Sequence, residues 1–169
     1  MKYLNQVKAE GDLLRGVCLV ARTDNLLRQY QEGLKQEGIG TYFIRRSEAE
    51  DQTIPGLRMA IMHRVKRLEF ARVIIAGVND GVVLYEGYGA GASDPVVKRD
   101  AETQDRALLY VSATRTRKEV LVTSFRRPSR FFLTWTRPNK GIERESDFVE
   151  EAVFKGLHFC TRRMPGAKL

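Results

Sequence analysis

The run Gly16-Val17-Cys18-Leu19-Val20-Ala21 constrains this chain more than any other feature. A short unbroken apolar run reads as a strand buried on both faces, as inside a parallel sheet. A helix signal follows at once. Thr23 or Asp24 is a cap, Leu26, Leu27, Tyr30 and Leu34 fall at helical spacing, and Gly38 supplies the stop.

The alternation continues. Thr41-Tyr42-Phe43-Ile44 reads as a second strand, residues 57–62 as a third, 73–77 as a fourth and 120–123 as a fifth. Residues 46–56 are polar and end in Pro-Gly, hence a loop, and the glycines of 81–91 mark another. Ser93-Asp94-Pro95 starts a helix that runs to about residue 116, with Val97, Ala101, Leu108 and Val111 as its apolar stripe and Leu109 and Tyr110 toward the core. An amphipathic helix is expected around residues 146–155. Strands alternating with helices predict α/β with a mainly parallel sheet. Neither a repeat nor a second domain boundary interrupts the pattern. One domain over residues 1–169 is expected, with its core at about 14–135 and an extension at about 136–169.

Hydrophobic residues at 43% and charged residues at 30% suit a globular chain. No apolar run approaches the roughly 18 residues of a membrane span, and residues 1–6 lack the apolar stretch of a signal peptide. A cytoplasmic protein away from membranes is the expectation. Cys18 and Cys160 lack CxxC spacing, and His158 with Cys160 is too small a set for a metal, so no metal site is expected. Against 29 Lys and Arg stand 21 Asp and Glu, a formal net charge of +8 that favours a polyanionic partner, nucleic acid first. GxxxxGK[ST] is absent, as is a magnesium-binding Asp-Glu pair at a strand end. Gly87-Tyr88-Gly89-Ala90-Gly91 has no following lysine and reads as a flexible loop.

Two segments lie in order along this pattern. The first is Ile61-Met62-His63-Arg64-Val65-Lys66-Arg67-Leu68-Glu69-Phe70, followed by Val73-Ile74-Ile75-Ala76-Gly77 and Gly81. The second is Asp105-Arg106-Ala107-Leu108-Leu109-Tyr110-Val111-Ser112-Ala113-Thr114-Arg115. Together they resemble motifs V and VI of the UvrD/Rep-type superfamily 1 DNA helicases. Motif V there looks like T-x-H-x-x-K-G-L-E-F before an apolar strand. Motif VI looks like E-R-R-L-x-Y-V-A-x-T-R-A before another. The strand–helix unit at 16–38 also looks like the segment preceding motif V. The resemblance covers about residues 14–135.

The resemblance implies a RecA-like second motor domain: three layers, a mainly parallel sheet flanked by helices. It implies the C-terminal half of an ATP-dependent 3′-to-5′ DNA helicase, as a piece of a longer chain, acting on single-stranded DNA. ATP with Mg²⁺ would lie between this domain and an N-terminal RecA-like domain of the same or another chain. That other half would hold the Mg²⁺ and supply the P-loop, so this chain alone is not expected to hydrolyse ATP. Arg115 matches the motif VI arginine, a finger whose guanidinium suits charge on a transferring phosphoryl group. Glu69 matches the motif V glutamate that accepts a hydrogen bond from the ATP ribose. His63 matches a histidine that contacts single-stranded DNA. Lys66 beside it, and Arg22 and Thr23 in the early unit, are further nucleic-acid contacts. Thr114 and Tyr110 would set the position of Arg115.

Plainer readings stand beside these. Arg115 could be one more solvated cation at a helix C-terminus. Glu69 could pair with Arg72 or Arg64, and His63 could be structural. Three departures touch the DNA contacts. Arg67 replaces the motif V glycine, costly if a positive φ is needed there. Ile61 replaces a threonine, and Asp24 replaces an asparagine and would repel a phosphate. The family's large 2B insertion is absent, since residues 46–56 alone occupy its place. Residues 126–140 hold five cations, no acid and three aromatics, which suits single strands. The other reading packs Phe131, Phe132 and Trp135 on the sheet and leaves the arginines in water. A non-catalytic nucleic-acid-binding or protein-docking module derived from the helicase domain is the alternative function.

Overall fold

The structure, a computed structural model, describes residues 1–45, 51–83, 94–125 and 127–131, and the backbone alone of 152–154 and 157–161. Its strands are β1 (Val17–Ala21), β2 (Thr41–Phe43), β3 (Leu57–Ile61), β4 (Phe70–Ala76), β5 (Thr116–Ser124), β6 (Ala152–Phe154) and β7 (Leu157–Thr161). They form one sheet in the order β2-β3-β1-β4-β5-β7-β6. Every neighbour pair is parallel except β6 with β7. β1 is buried at all five positions, as its unbroken apolar run requires.

Alternate strand residues face alternate layers. Val17, Leu19 and Ala21 pack with Leu4 and Val7 of α1 (Lys2–Ala9) and Leu26, Leu27 and Leu34 of α2 (Asp24–Gln36). Cys18 and Val20 pack on the other face with Leu108 and Leu109 of α3 (Pro95–Ala113) and Val65 of the 3-10 turn Val65–Arg67. The result is a mainly parallel α/β domain, as the alternation predicts, in three layers consistent with the RecA-like fold that the resemblance implies. No helix among the described residues is long and apolar enough to cross a membrane.

α1 carries two buried residues, too sparse a stripe to announce itself. It is tied down by charge instead. Arg72 of β4 is buried and pairs with Glu10, Asp12 and Glu119, while Tyr3 donates to Glu119 Oε2 at 2.8 Å. Arg72 also explains why β4 begins three residues before the apolar run, because that ionic cluster lets a charged residue enter a buried strand.

Two expectations need correction. Residues 152–154 form a strand, not part of a helix over 146–155, because they find an antiparallel partner in β7. On α3, Leu109 is buried but Val97 and Tyr110 are exposed. The buried face starts at Asp105, which pairs with Arg22 directly after β1. The ten helical residues before Asp105, about 15 Å at 1.5 Å per residue, extend past the end of the sheet, and residues 94–100 are all exposed.

In the basic segment, Phe131 is buried beneath the Arg106 guanidinium, whereas Arg127 and Arg130 are exposed. Phe131 thus packs while Arg127 and Arg130 stay in water. Phe132, Trp135 and the glycines of 87–91 lie outside the described residues.

Candidate functional site

β1 and β3 are parallel neighbours, yet their continuations leave toward opposite faces. β1 runs into α2 on one face, and β3 runs into the 3-10 turn on the α3 face. Such a divergence opens a crevice outside the carboxyl ends of the strands, where open α/β sheets take their ligands. Arg22, Thr23 and His63 all fall at this edge.

Their environments differ. Arg22 is mostly buried and its guanidinium meets Asp105 at 2.8 Å. The Thr23 hydroxyl accepts the Leu26 N–H at 3.3 Å and so caps α2. His63 is exposed. Desolvation, then the positive charges of Arg22 and Lys66, push its pKa below the ordinary histidine value against the smaller opposing pull of Asp105. Asp24 opens α2 and pairs with Arg28 at 2.7 Å, so the repulsion expected of an aspartate here is met by a cation.

Beside the crevice lies a cleft of about 690 Å³ between α2 and the ends of β2 and β3. Its wall includes Phe43 and Ile61, and its lining includes Arg28, Arg45, His63 and Arg64. Arg64 donates to the Arg45 carbonyl, and its buried Nε has no partner among the described residues. Ile61, the departure from threonine, ends β3 half-buried against the α2 layer.

Glu69 and Arg115 lie at the opposite edge. Residues 62–69 cross from the end of β3 to the start of β4, and Arg115 immediately precedes β5. The Phe70 N–H donates to the Arg115 carbonyl at 2.9 Å, which sets the Glu69 and Arg115 backbones beside each other just before two adjacent parallel strands. Arg115 Nη1 donates to the Lys66 carbonyl at 3.4 Å, and its buried Nε has no partner among the described residues. Thr114 donates instead to the Val111 carbonyl and Tyr110 faces water. Arg115 is held by the Lys66 carbonyl and its own main chain, not by the two residues the resemblance suggested.

Glu69 is exposed and forms no ion pair among the described residues. Arg72 is taken by its three carboxylates and Arg64 by the Arg45 carbonyl, so neither is the partner that charge alone offered. Lys66 is exposed in the turn between the two edges, and Arg67 lies in the same 3-10 helical backbone, so an arginine there needs no positive φ. No metal-binding cluster occurs among the described residues.

The sequence reading missed Asp105, Arg28, Arg45 and Arg64. Asp105 did carry a signal. It falls on one helical stripe with Ala101 and Leu108, where a buried acid requires a cation. Its partner lies 83 residues away in sequence.

No protein-family model matches the sequence, and no curated protein matches it. Among solved structures, the chain is similar to the C-terminal domain of a possible DNA helicase from Lactobacillus plantarum WCFS1. The TM-score is 0.53 and the identity 16%, over 76% of this chain and 66% of that one. The likeness is one of fold. The chain spans just under two thirds of that domain's length. What the two share is an α/β fold, with β1, β4 and β5 at the centre of the sheet here.

Proposed function

We propose that this chain is the C-terminal motor half of an ATP-dependent DNA helicase of the UvrD/Rep type, translocating 3′ to 5′. The observation that carries the reading is the adjacency of Glu69 and Arg115 at one edge of the sheet. Among the described residues, a carboxylate with no cation partner stands beside an arginine whose buried Nε has no acceptor. That donor and acceptor set fits a nucleotide: Glu69 would accept from a ribose hydroxyl and Arg115 would reach its phosphates. Bound ATP with Mg²⁺ supplies the phosphoryl group, and the Mg²⁺ carboxylates and P-loop belong to the N-terminal half.

At the other edge His63, Arg22 and Thr23, with Lys66 in the turn that leads away from it, form the single-stranded DNA side. Arg22 and Thr23 act there by holding the β1–α2 turn, through Asp105 and the α2 cap, and His63 and Lys66 by exposed contact. The test is ATP hydrolysis by the native assembly that contains this chain. Hydrolysis stimulated by single-stranded DNA is expected. An assembly that binds single strands without hydrolysing ATP would instead establish the non-catalytic module.

A further inference from the structure

We propose that the cleft between α2 and the ends of β2 and β3 takes one nucleotide unit of a single strand, its base on Phe43 and its phosphates on Arg28, Arg45 and Arg64. The inference rests on the nucleic-acid reading of this edge and goes further by assigning a subsite outside the two motifs. The volume, about 690 Å³, lies inside the roughly 300–1,000 Å³ typical of small-ligand sites. Its lining divides chemically. Phe43 and Ile61 give an apolar wall, and three arginines supply positive charge beside the His63 imidazole. Asp24, the one acid in the lining among the described residues, is paired with Arg28.

A ligand that satisfies both halves has a flat apolar ring joined to an anion. A nucleotide unit is such a ligand, since bases stack on aromatic rings and phosphates bind guanidinium groups. Arg64 adds a specific requirement. Its Nη2 is fixed on the Arg45 carbonyl while its buried Nε has no acceptor among the described residues, and a phosphate oxygen would satisfy that donor. A strand already lying along the His63 edge would bring the next unit to the cleft, because His63 belongs to both.

The test is fluorescence anisotropy with a labelled dT 20-mer and with a 20-mer of equal charge made abasic throughout. Arg45→Ala, Arg64→Ala and Phe43→Leu are compared with Lys35→Ala, an exposed cation at the far end of α2, and circular dichroism checks each fold. Arg45→Ala alone suffices if the others misfold, because its side chain is exposed. Each cleft variant is expected to weaken dT binding about tenfold, and each arginine variant to lower the salt slope by about one. The abasic strand is expected to bind about tenfold more weakly than dT. Equal binding of the two strands, or cleft variants indistinguishable from Lys35→Ala, would overturn the subsite while leaving strand binding elsewhere on this edge intact. Displacement of the strand by dTMP at equal nucleotide concentration would assign the cleft to a free nucleotide and overturn it too. No binding of dT by the wild-type chain would remove the nucleic-acid reading itself.

Discussion

Arg22 closes on Asp105 at 2.8 Å, joining the turn after β1 to the middle of α3 across the end of the sheet. Both side chains are nearly out of water, at 11% and 5% exposure. A buried pair of this kind is expensive to break and cheap to replace whole. Asp105→Ala removes the carboxylate that faces the buried guanidinium and is expected to cost about 3–5 kcal/mol in urea unfolding. The double change Arg22→Met with Asp105→Leu is expected to recover most of that loss. A double variant as unstable as Asp105→Ala would mean that the pair is not what fixes the turn.

The Arg72 cluster predicts acid sensitivity. Glu10 is held below the ordinary carboxylate range by its hydrogen bond from Gln6 and then by Arg72. Asp12 is held down by Lys118 and then by Arg72. A carboxylate depressed in the folded state contributes stability above its unfolded pKa and loses it as pH falls through the folded value. Thermal midpoints should therefore hold between pH 7 and pH 5 and fall below about pH 4, with Glu10→Gln and Asp12→Asn flattening the fall. An unchanged acid profile in the double variant would contradict the assignment.

These two pairings also show what sequence could and could not say. β1, β2 and β3 were legible within a residue because each is a short apolar run inside a parallel sheet. β5 starts four residues early, at Thr116-Arg117-Lys118-Glu119, where charges hide the strand. Edge positions and Glu119's pairing with Arg72 make room for those charges. β7 and β6 depend on a long-range pairing with β5 that no local pattern announces. Arg115 and Glu69 could be named from their motifs, but their adjacency comes from the parallel pairing of β4 with β5.

His63 gives a pH signature at the nucleic-acid edge. Its pKa is lowered by burial and by Arg22 and Lys66, and a bound phosphate would raise it. Binding then takes up a proton, so affinity for a single strand should rise as pH falls from 8 to 6. The expected gain is several-fold in the wild-type chain and absent in His63→Gln. Identical pH profiles for the two would remove His63 from the contact.

Gly77 ties the fold to the same edge. It follows β4 with φ of +69°, and a Cβ there would stand 2.7 Å from Leu26 Cδ2 on α2. Gly77→Ala combines a disfavoured backbone with a clash and is expected to cost about 1–3 kcal/mol in urea unfolding. A neutral result would mean that α2 shifts without loss.

The central claim is that Arg115 serves the nucleotide and not the strand. Its most direct test is Arg115→Ala in the native assembly, with ATP turnover and single-strand affinity measured on the same preparation. Loss of an arginine finger predicts a fall in turnover of about 10³-fold or more, with affinity for the strand within twofold of wild type. Turnover near the wild-type rate, with strand affinity lost, would contradict it.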